Sequence, residues 1–76
     1  METWFAQSAR RHKVGRAHAR HVINTVEAIV GTSDRGDVEY AWKGDDDRGL
    51  ELEIVGILQG ERIMIIHVMP TALRRK

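Results

Sequence analysis

The spacing of apolar residues changes once along this chain, and this change restricts the fold more than any other feature. Before residue 31, apolar side chains recur every three or four positions, which is the period of an amphipathic α-helix. After Gly36 they alternate with polar ones, as in Val38, Tyr40 and Trp42, which is the period of a half-buried strand. The sequence therefore predicts an α+β domain in which helices precede strands.

The helical part is predicted to contain two helices. The first spans about residues 3–13 with Thr3 as its N-cap, and the second spans about residues 16–30 with Gly31 after its last turn. An apolar stripe on the second helix is formed by Ala19, Val22, Ile23, Val26, Ile29 and Val30. We expect this stripe to face the core.

The second part is predicted to form a three-stranded antiparallel meander over residues 37–43, 50–58 and 62–69, followed by a basic tail at residues 71–76. Gly56 indicates a β-bulge or a close approach of another backbone. The third strand is apolar on both faces, and as the last strand of a meander it would be an edge open to pairing. Either another element of the chain or a partner chain must cover it. We favour a partner, and expect a homodimer or a complex with another protein.

Length and composition limit the chain to one small domain. It has 76 residues, of which 42% are apolar and 30% charged, as is typical of a soluble globular protein. The absence of cysteine excludes disulfide scaffolds and thiolate metal sites. No apolar run approaches the roughly 20 residues of a membrane span, and no signal peptide is recognisable. We therefore expect a single cytoplasmic domain over residues 1–76 with no membrane association.

Charge is distributed unevenly, although the net charge is only +1. Residues 3–26 include five basic side chains and no acidic one, whereas residues 27–61 include ten acidic and three basic ones. Clusters of Lys and Arg are the usual contacts to phosphate backbones. The alternative is a basic helix surface that is merely solvated. The predicted nucleic-acid-binding residues are Arg10, Arg11, Lys13, Arg16, Arg20 and Arg75.

His67 is the only polar residue in the apolar run at residues 63–69. A three-residue loop at residues 59–61 would place His67 opposite Glu53, whose carboxylate would orient and charge the imidazole. In that register the residues facing the helices would be Leu52, Ile54, Met64, Ile66 and Val68. A two-residue loop would instead bury His67, since a slip of one residue exchanges the two faces. We favour the first register; the alternative function for His67 is a purely structural one.

Other potential ligand clusters are weak. His18 and His21 lie three residues apart on the second helix, without a third ligand at a recognisable spacing. The three aspartates at residues 45–47 lack the alternation of a calcium-binding loop and indicate a solvated hairpin tip with no buried carboxylate. We therefore predict neither a metal nor a cofactor.

Three segments of the chain resemble a group of short bacterial proteins. They are SARRHKV at residues 8–14, DRGLELEI at residues 47–54 and IIHVMP at residues 65–70. They are similar to the "ARKHG" helix and C-terminal "IHAMPAR" of BrnT-like and RelE-like toxins of type II toxin–antitoxin modules, with Lys13 in place of a glycine and Val68 in place of an alanine. The resemblance implies a small α+β domain with a curved antiparallel sheet. It also implies a ribonuclease that is neutralised by an antitoxin.

On this resemblance we interpret the protein as a metal-independent endoribonuclease toxin that acts on RNA, including ribosome-associated RNA. The 2′-hydroxyl of the RNA would be the nucleophile, and His67, paired with Glu53, would be the acid or base. Arg48 and Arg74 would hold phosphate oxygens. The alternative is a non-catalytic module that binds nucleic acid or a protein through its basic helices and apolar third strand.

Overall fold

A computed structural model describes residues 2–74, which form one α-helix and a five-stranded sheet. The elements are β1 Glu2–Phe5, α1 Arg16–Thr25, β2 Ile29–Thr32, β3 Val38–Asp45, β4 Glu51–Gln59 and β5 Arg62–Pro70, with short 3-10 helices at Gln7–Arg10 and Thr71–Arg74. The strand order is β1-β5-β4-β3-β2. β1 is parallel to β5, and the other neighbours are antiparallel. None of the helices in this part of the chain is long and apolar enough to span a membrane.

The predicted fold of two helices and a three-stranded meander is wrong, and its first error is at the N-terminus. The segment predicted as a helix at residues 3–13 contains β1, a 3-10 helix and a turn. The backbone of β1 pairs with β5 from Glu2 to Phe5, and aromatic residues such as Trp4 favour a strand. Lys13 has a φ of +57°, which a helix does not contain. Pairing with the sheet outweighs the short helical pattern.

The second error concerns the end of the remaining helix. α1 ends at Thr25 instead of residue 30, because Val26 has an extended backbone with φ −123° and ψ 154°. The β-branched residues that follow form β2, which pairs antiparallel with β3. Gly31 is therefore a strand residue and does not terminate the helix.

The three strands of the predicted meander exist, as β3, β4 and β5, within two residues of their expected bounds. However, β5 is not an edge. β1 pairs along its other side, and the first 3-10 helix continues along the same side beyond Phe5. Another element of the chain therefore covers β5, and the prediction that a partner chain pairs with it is wrong. The edges of the sheet are β1 and β2.

The core lies between α1 and one face of the sheet, which we call the inner face; the opposite one is the outer face. Ala19 and Val22 of α1 pack against the sheet. The buried apolar residues are Ala9, Ala19, Val22, Trp42, Leu52, Ile54, Ile63, Ile65 and Val68. Ala9 comes from the first 3-10 helix, so this short element also contributes to the core.

The β4–β5 loop has two residues instead of the predicted three. Gln59 pairs with Arg62, and Gly60 between them has a φ of +64°, which favours glycine. On its own, this loop would turn His67 into the core.

A β-bulge returns His67 to the outer face. Adjacent residues of β4, Val55 and Gly56, pair with His67 and Ile65, so Ile66 is an extra residue in β5. The extra residue reverses the alternation of the strand, and His67 shares the outer face with Val55. Gly56 therefore marks a bulge, as predicted from the sequence.

The two-residue loop also changes which residues of β5 reach the core before the bulge. Ile63 and Ile65 are buried on the inner face, where Met64 and Ile66 were predicted. Val68, beyond the bulge, is buried as predicted.

The packing at Gly56 gives a test of this fold. A Cβ atom at Gly56 would lie 2.5 Å from Cγ2 of Ile63 and 3.0 Å from Cδ1 of Ile65. We expect Gly56→Ala to lower the free energy of unfolding by ~1–3 kcal/mol, as overpacking does in a filled core. Urea denaturation measures this. Gly31→Ala is the matched control, because a Cβ there meets nothing within 4 Å. Equal stability of the two variants would contradict the packing at the bulge.

Candidate functional site

His67 and His12 are far apart in the sequence but adjacent in the fold. Their ring centroids lie 6.0 Å apart, and the ring planes are inclined at 80°. Both residues are half-buried, so each ring is partly accessible from solvent. Because imidazole exchanges protons near neutral pH, two such rings at one position can serve as an acid and a base.

Two hydrogen bonds to β5 position the segment that carries His12. The backbone N–H of Ala6 donates to the carbonyl of Ile65 at 2.8 Å. The hydroxyl of Ser8 donates to the carbonyl of Ile66 at 2.9 Å. Ile66 is the extra residue of the bulge, so the bulge both orients His67 and anchors the segment that brings His12 to it.

Exposed basic side chains flank His12 in the sequence and continue into α1. We call Arg10, Arg11, Lys13, Arg16 and Arg20 the basic band; all five are exposed. A surface depression of about 350 Å³ is lined by Arg10, Lys13, Val14, Gly15 and Arg16. A second, of about 290 Å³, is lined by Glu2, Thr3, Trp4, Phe5, Arg16 and Arg20. Because Arg16 borders both, the basic band is continuous from the 3-10 helix to the edge of β1.

Each aromatic residue of β1 has an arginine against its ring. The guanidinium carbon of Arg20 lies 5.3 Å from the ring centre of Phe5, and that of Arg62 lies 4.0 Å from the ring centre of Trp4. Arg62 also approaches the carboxylate of Glu2 at 3.8 Å. Trp4 remains 42% exposed, although tryptophan is usually well buried.

Glu53 does not lie where the predicted register places it. It pairs with Met69 on β5 and with Lys43 on β3, whereas the residue opposite His67 is Val55. The shorter loop and the bulge each shift the register by one residue, which together gives this displacement of two residues. Glu53 and His67 still share the outer face, as the sequence predicts, but they are not directly opposite each other in the register.

The other predicted phosphate contacts are dispersed. The side chain of Arg48 donates two hydrogen bonds to Oδ2 of Asp46, from Nε at 3.0 Å and from Nη2 at 2.7 Å. Arg48 is thus part of the β3–β4 turn. Arg74 is the last residue of the second 3-10 helix, and Arg75 lies outside the described residues.

The β3–β4 turn is built around the carboxylate of Asp46, which is only 4% exposed. Its Oδ1 accepts backbone N–H bonds from Arg48 at 2.8 Å and Leu50 at 3.0 Å. Burial raises the pKa of Asp46, but the hydrogen bonds from Arg48 and the backbone outweigh it and lower that pKa from 3.8 to about 2. The prediction of a turn without a buried carboxylate is therefore wrong.

His18 connects α1 to the same turn. Its Nδ1 lies 2.6 Å from Oδ1 of Asp47, and this hydrogen bond lowers the pKa of Asp47. His18, Asp46 and Asp47 each place one atom that could bind a metal within 4.8 Å of the other two. However, each oxygen of Asp46 already accepts two hydrogen bonds. We interpret the cluster as a structural contact between helix and turn.

Sequence reasoning missed His12, Trp4 and Phe5 as site residues. The two aromatic residues were assigned to a helix, and the position of His12 depends on the parallel pairing of β1 with β5, which no local pattern reveals. The one available signal was the pair of aromatic residues immediately before the basic segment.

Comparison of this chain with known protein families, curated proteins and solved structures finds no match. Function is therefore inferred from the residues of the site and from the segments described above.

The buried carboxylate makes stability dependent on pH. Because the pKa of Asp46 is lowered to about 2 from 3.8, its contribution to stability is complete above pH 3.8 and is lost as the pH falls towards 2. We expect Asp46→Asn to lower the urea midpoint at neutral pH, and this difference from wild type to shrink between pH 4 and pH 2. The exposed neighbour provides the control, Asp45→Asn, for which little change is expected. A difference that stays constant over this pH range would contradict the assignment.

Proposed function

We propose that this protein is an RNA-directed, toxin-type endoribonuclease in which His12 and His67 form the acid–base pair. The observation that carries the proposal is the 6.0 Å separation of their ring centroids beside the basic band. Both histidines belong to the segments that resemble RelE-like toxins, residues 8–14 and 65–70. Two of the three segments that carry the resemblance therefore meet at one position in the fold.

The proposed reaction uses a nucleophile that belongs to the RNA. One imidazole removes the proton of the 2′-hydroxyl, whose oxygen attacks the adjacent phosphorus. The other imidazole donates a proton to the 5′-oxygen as the bond from phosphorus to that oxygen breaks. The products are a 2′,3′-cyclic phosphate and a 5′-hydroxyl end. This chemistry requires two proton-transferring groups on opposite sides of one phosphate and no nucleophile from the protein.

Cationic side chains near the pair would stabilise the negative charge on the phosphorane-like transition state. Arg10, Arg11 and Lys13 are the nearest candidates along the chain, since they flank His12. Arg16 and Arg20 extend the positive charge for flanking phosphates. The proposed substrate is messenger RNA in the cytoplasm, free or on the ribosome, and the proposed regulator is an antitoxin protein.

A second candidate function is protein binding without catalysis, and the outer face favours it. The half-buried apolar residues of this face are Ala41, Val55, Ile57, Met64, Ile66 and Met69. α1, the only α-helix within residues 2–74, packs on the inner face. An apolar face of this kind suits a protein partner, either an antitoxin or a second copy of the chain. This surface is compatible with the nuclease as well, because toxin and antitoxin must meet somewhere.

Alanine substitutions test the histidine pair. We expect His12→Ala and His67→Ala each to lower the rate of RNA cleavage by roughly 10²-fold or more, the scale for a lost acid–base group. The double variant should be little worse than either single one, because the two groups act in one step. Cleavage of a single-stranded RNA is followed by gel electrophoresis with EDTA present, and the rate should have a bell-shaped pH dependence.

The exposed His21 on α1 provides the matched control, since His21→Ala removes an imidazole outside the pair. Thermal unfolding of each variant separates activity from stability. Loss of cleavage only in variants that also unfold would assign a structural role to His67. The wild-type protein should not cleave an RNA with 2′-deoxyribose at the cleaved position, because the nucleophile is missing. Cleavage of that RNA would contradict the mechanism.

A further inference from the structure

The free edge of β1 lies between two aromatic–arginine pairs. β1 is the last strand at one end of the sheet, so no described strand pairs with its edge on the side away from β5. Because neighbouring residues of a strand point to opposite faces, Trp4 lies towards the outer face and Phe5 towards α1. Arg62 covers part of Trp4, and Arg20 covers Phe5. This edge therefore combines rings that can stack with cations on both sides of one strand.

The charge along this edge is positive. The depression of about 290 Å³ beside β1 contains Arg16 and Arg20 with one acidic residue, Glu2. That carboxylate is 3.8 Å from Arg62, which offsets its charge. Arg16 also lies in the first turn of α1, which contains no acidic residue, although the helix dipole disfavours a cation there. Its position costs helix stability, and an anionic ligand would offset that cost.

The edge leads directly to the histidine pair. Trp4 is opposite Met64, and His67 is three residues further along β5, which corresponds to about 10 Å. On the other side the chain passes from Phe5 through the Ala6 and Ser8 hydrogen bonds to His12. A ligand with the length of a few nucleotides that extends along β1 would therefore reach both imidazoles.

We infer that the β1 edge binds single-stranded RNA, with a base stacked on Trp4 and phosphates held by Arg16 and Arg20. This inference rests on the proposed function, because the β1 edge would be the path by which the RNA substrate reaches the histidines. Stacking on an aromatic ring requires an unpaired base, which a duplex does not offer. An acidic peptide would contact the arginines but would have no base to place on Trp4.

The binding experiment uses an RNA that cannot be cleaved. A fluorescein-labelled, 2′-O-methylated single strand of about 12 nucleotides, a length suited to such grooves, is titrated with the full chain by fluorescence anisotropy. We expect Trp4→Leu, which keeps apolar bulk without an aromatic ring, to weaken binding about tenfold. Trp4→Phe should bind almost as wild type does. It should also remove most of the tryptophan quenching caused by RNA, because the remaining Trp42 is buried.

The arginines are tested by their salt dependence and by stability. Arg16→Ala and Arg20→Ala should each weaken binding and reduce the slope of log affinity against log salt by about one unit. Arg16→Ala should also raise the unfolding temperature, since it removes a cation from the first turn of α1. Arg35→Ala is the matched control, because Arg35 is an exposed arginine in the loop before β3.

Several outcomes would overturn the inference. One is binding that is unchanged in Trp4→Leu; another is equal affinity for the single strand and for its duplex with a complementary strand. Binding of poly-glutamate that requires Trp4 would assign the edge to a protein partner instead. Failure of the two proposals is distinguishable. RNA binding that depends on Trp4, without any cleavage, would refute the nuclease alone. Cleavage that depends on His12 and His67 but is unaffected at Trp4, Arg16 and Arg20 would refute the β1 edge alone.

Discussion

The extra residue in β5 is the feature on which both the core and the site depend. Up to Ile65 the strand alternates in one phase, and beyond Ile66 it alternates in the other, so Ile65 and Val68 both face α1. Without the bulge, the two-residue loop would direct His67 into the apolar core, where an imidazole without a hydrogen-bond partner is costly. The close packing at Gly56 leaves no space for a side chain and maintains this arrangement.

The parallel pairing of β1 with β5 has two consequences of similar importance. It covers the most apolar strand of the chain, which would otherwise be an aggregation-prone edge. It also places the N-terminal basic segment beside the C-terminal end of β5, so that His12 lies next to His67. In a chain of 76 residues, a single hydrophobic core supplies only a few kcal/mol. The pairing that stabilises the core is thus the same pairing that assembles the candidate site.

The predictable parts of this protein are those whose cause is local. Alternation over Val38, Tyr40 and Trp42 identifies a strand because each residue reports its own face. Gly56 similarly indicates a bulge, because a glycine inside a strand pattern is typical of one. The exposure of the basic band follows from the cost of burying charge. The parts that failed depend on distant contacts: β1 is a strand only because β5 lies beside it, and β2 only because β3 does. The wrong partner predicted for Glu53 has the same origin. The loop has one residue fewer than expected and the bulge adds one residue to β5, so the β4–β5 register beyond the bulge differs from the predicted one by two residues.

The separation of charge along the chain becomes a separation in space. Asp34 and Asp37 of the loop before β3, together with Glu39 of β3, line one depression that extends across the outer face to Ile57 and Ile66. The basic band lies beside β1 and the first 3-10 helix, and among the residues that line its two depressions only Glu2 is acidic. At physiological ionic strength the Debye length is about 8 Å. Acidic side chains beyond that distance scarcely change the potential near β1, so an approaching polyanion encounters a positive edge there even though the net charge is only +1. Local charge around the histidine pair, and not the net charge, determines which ligands reach it.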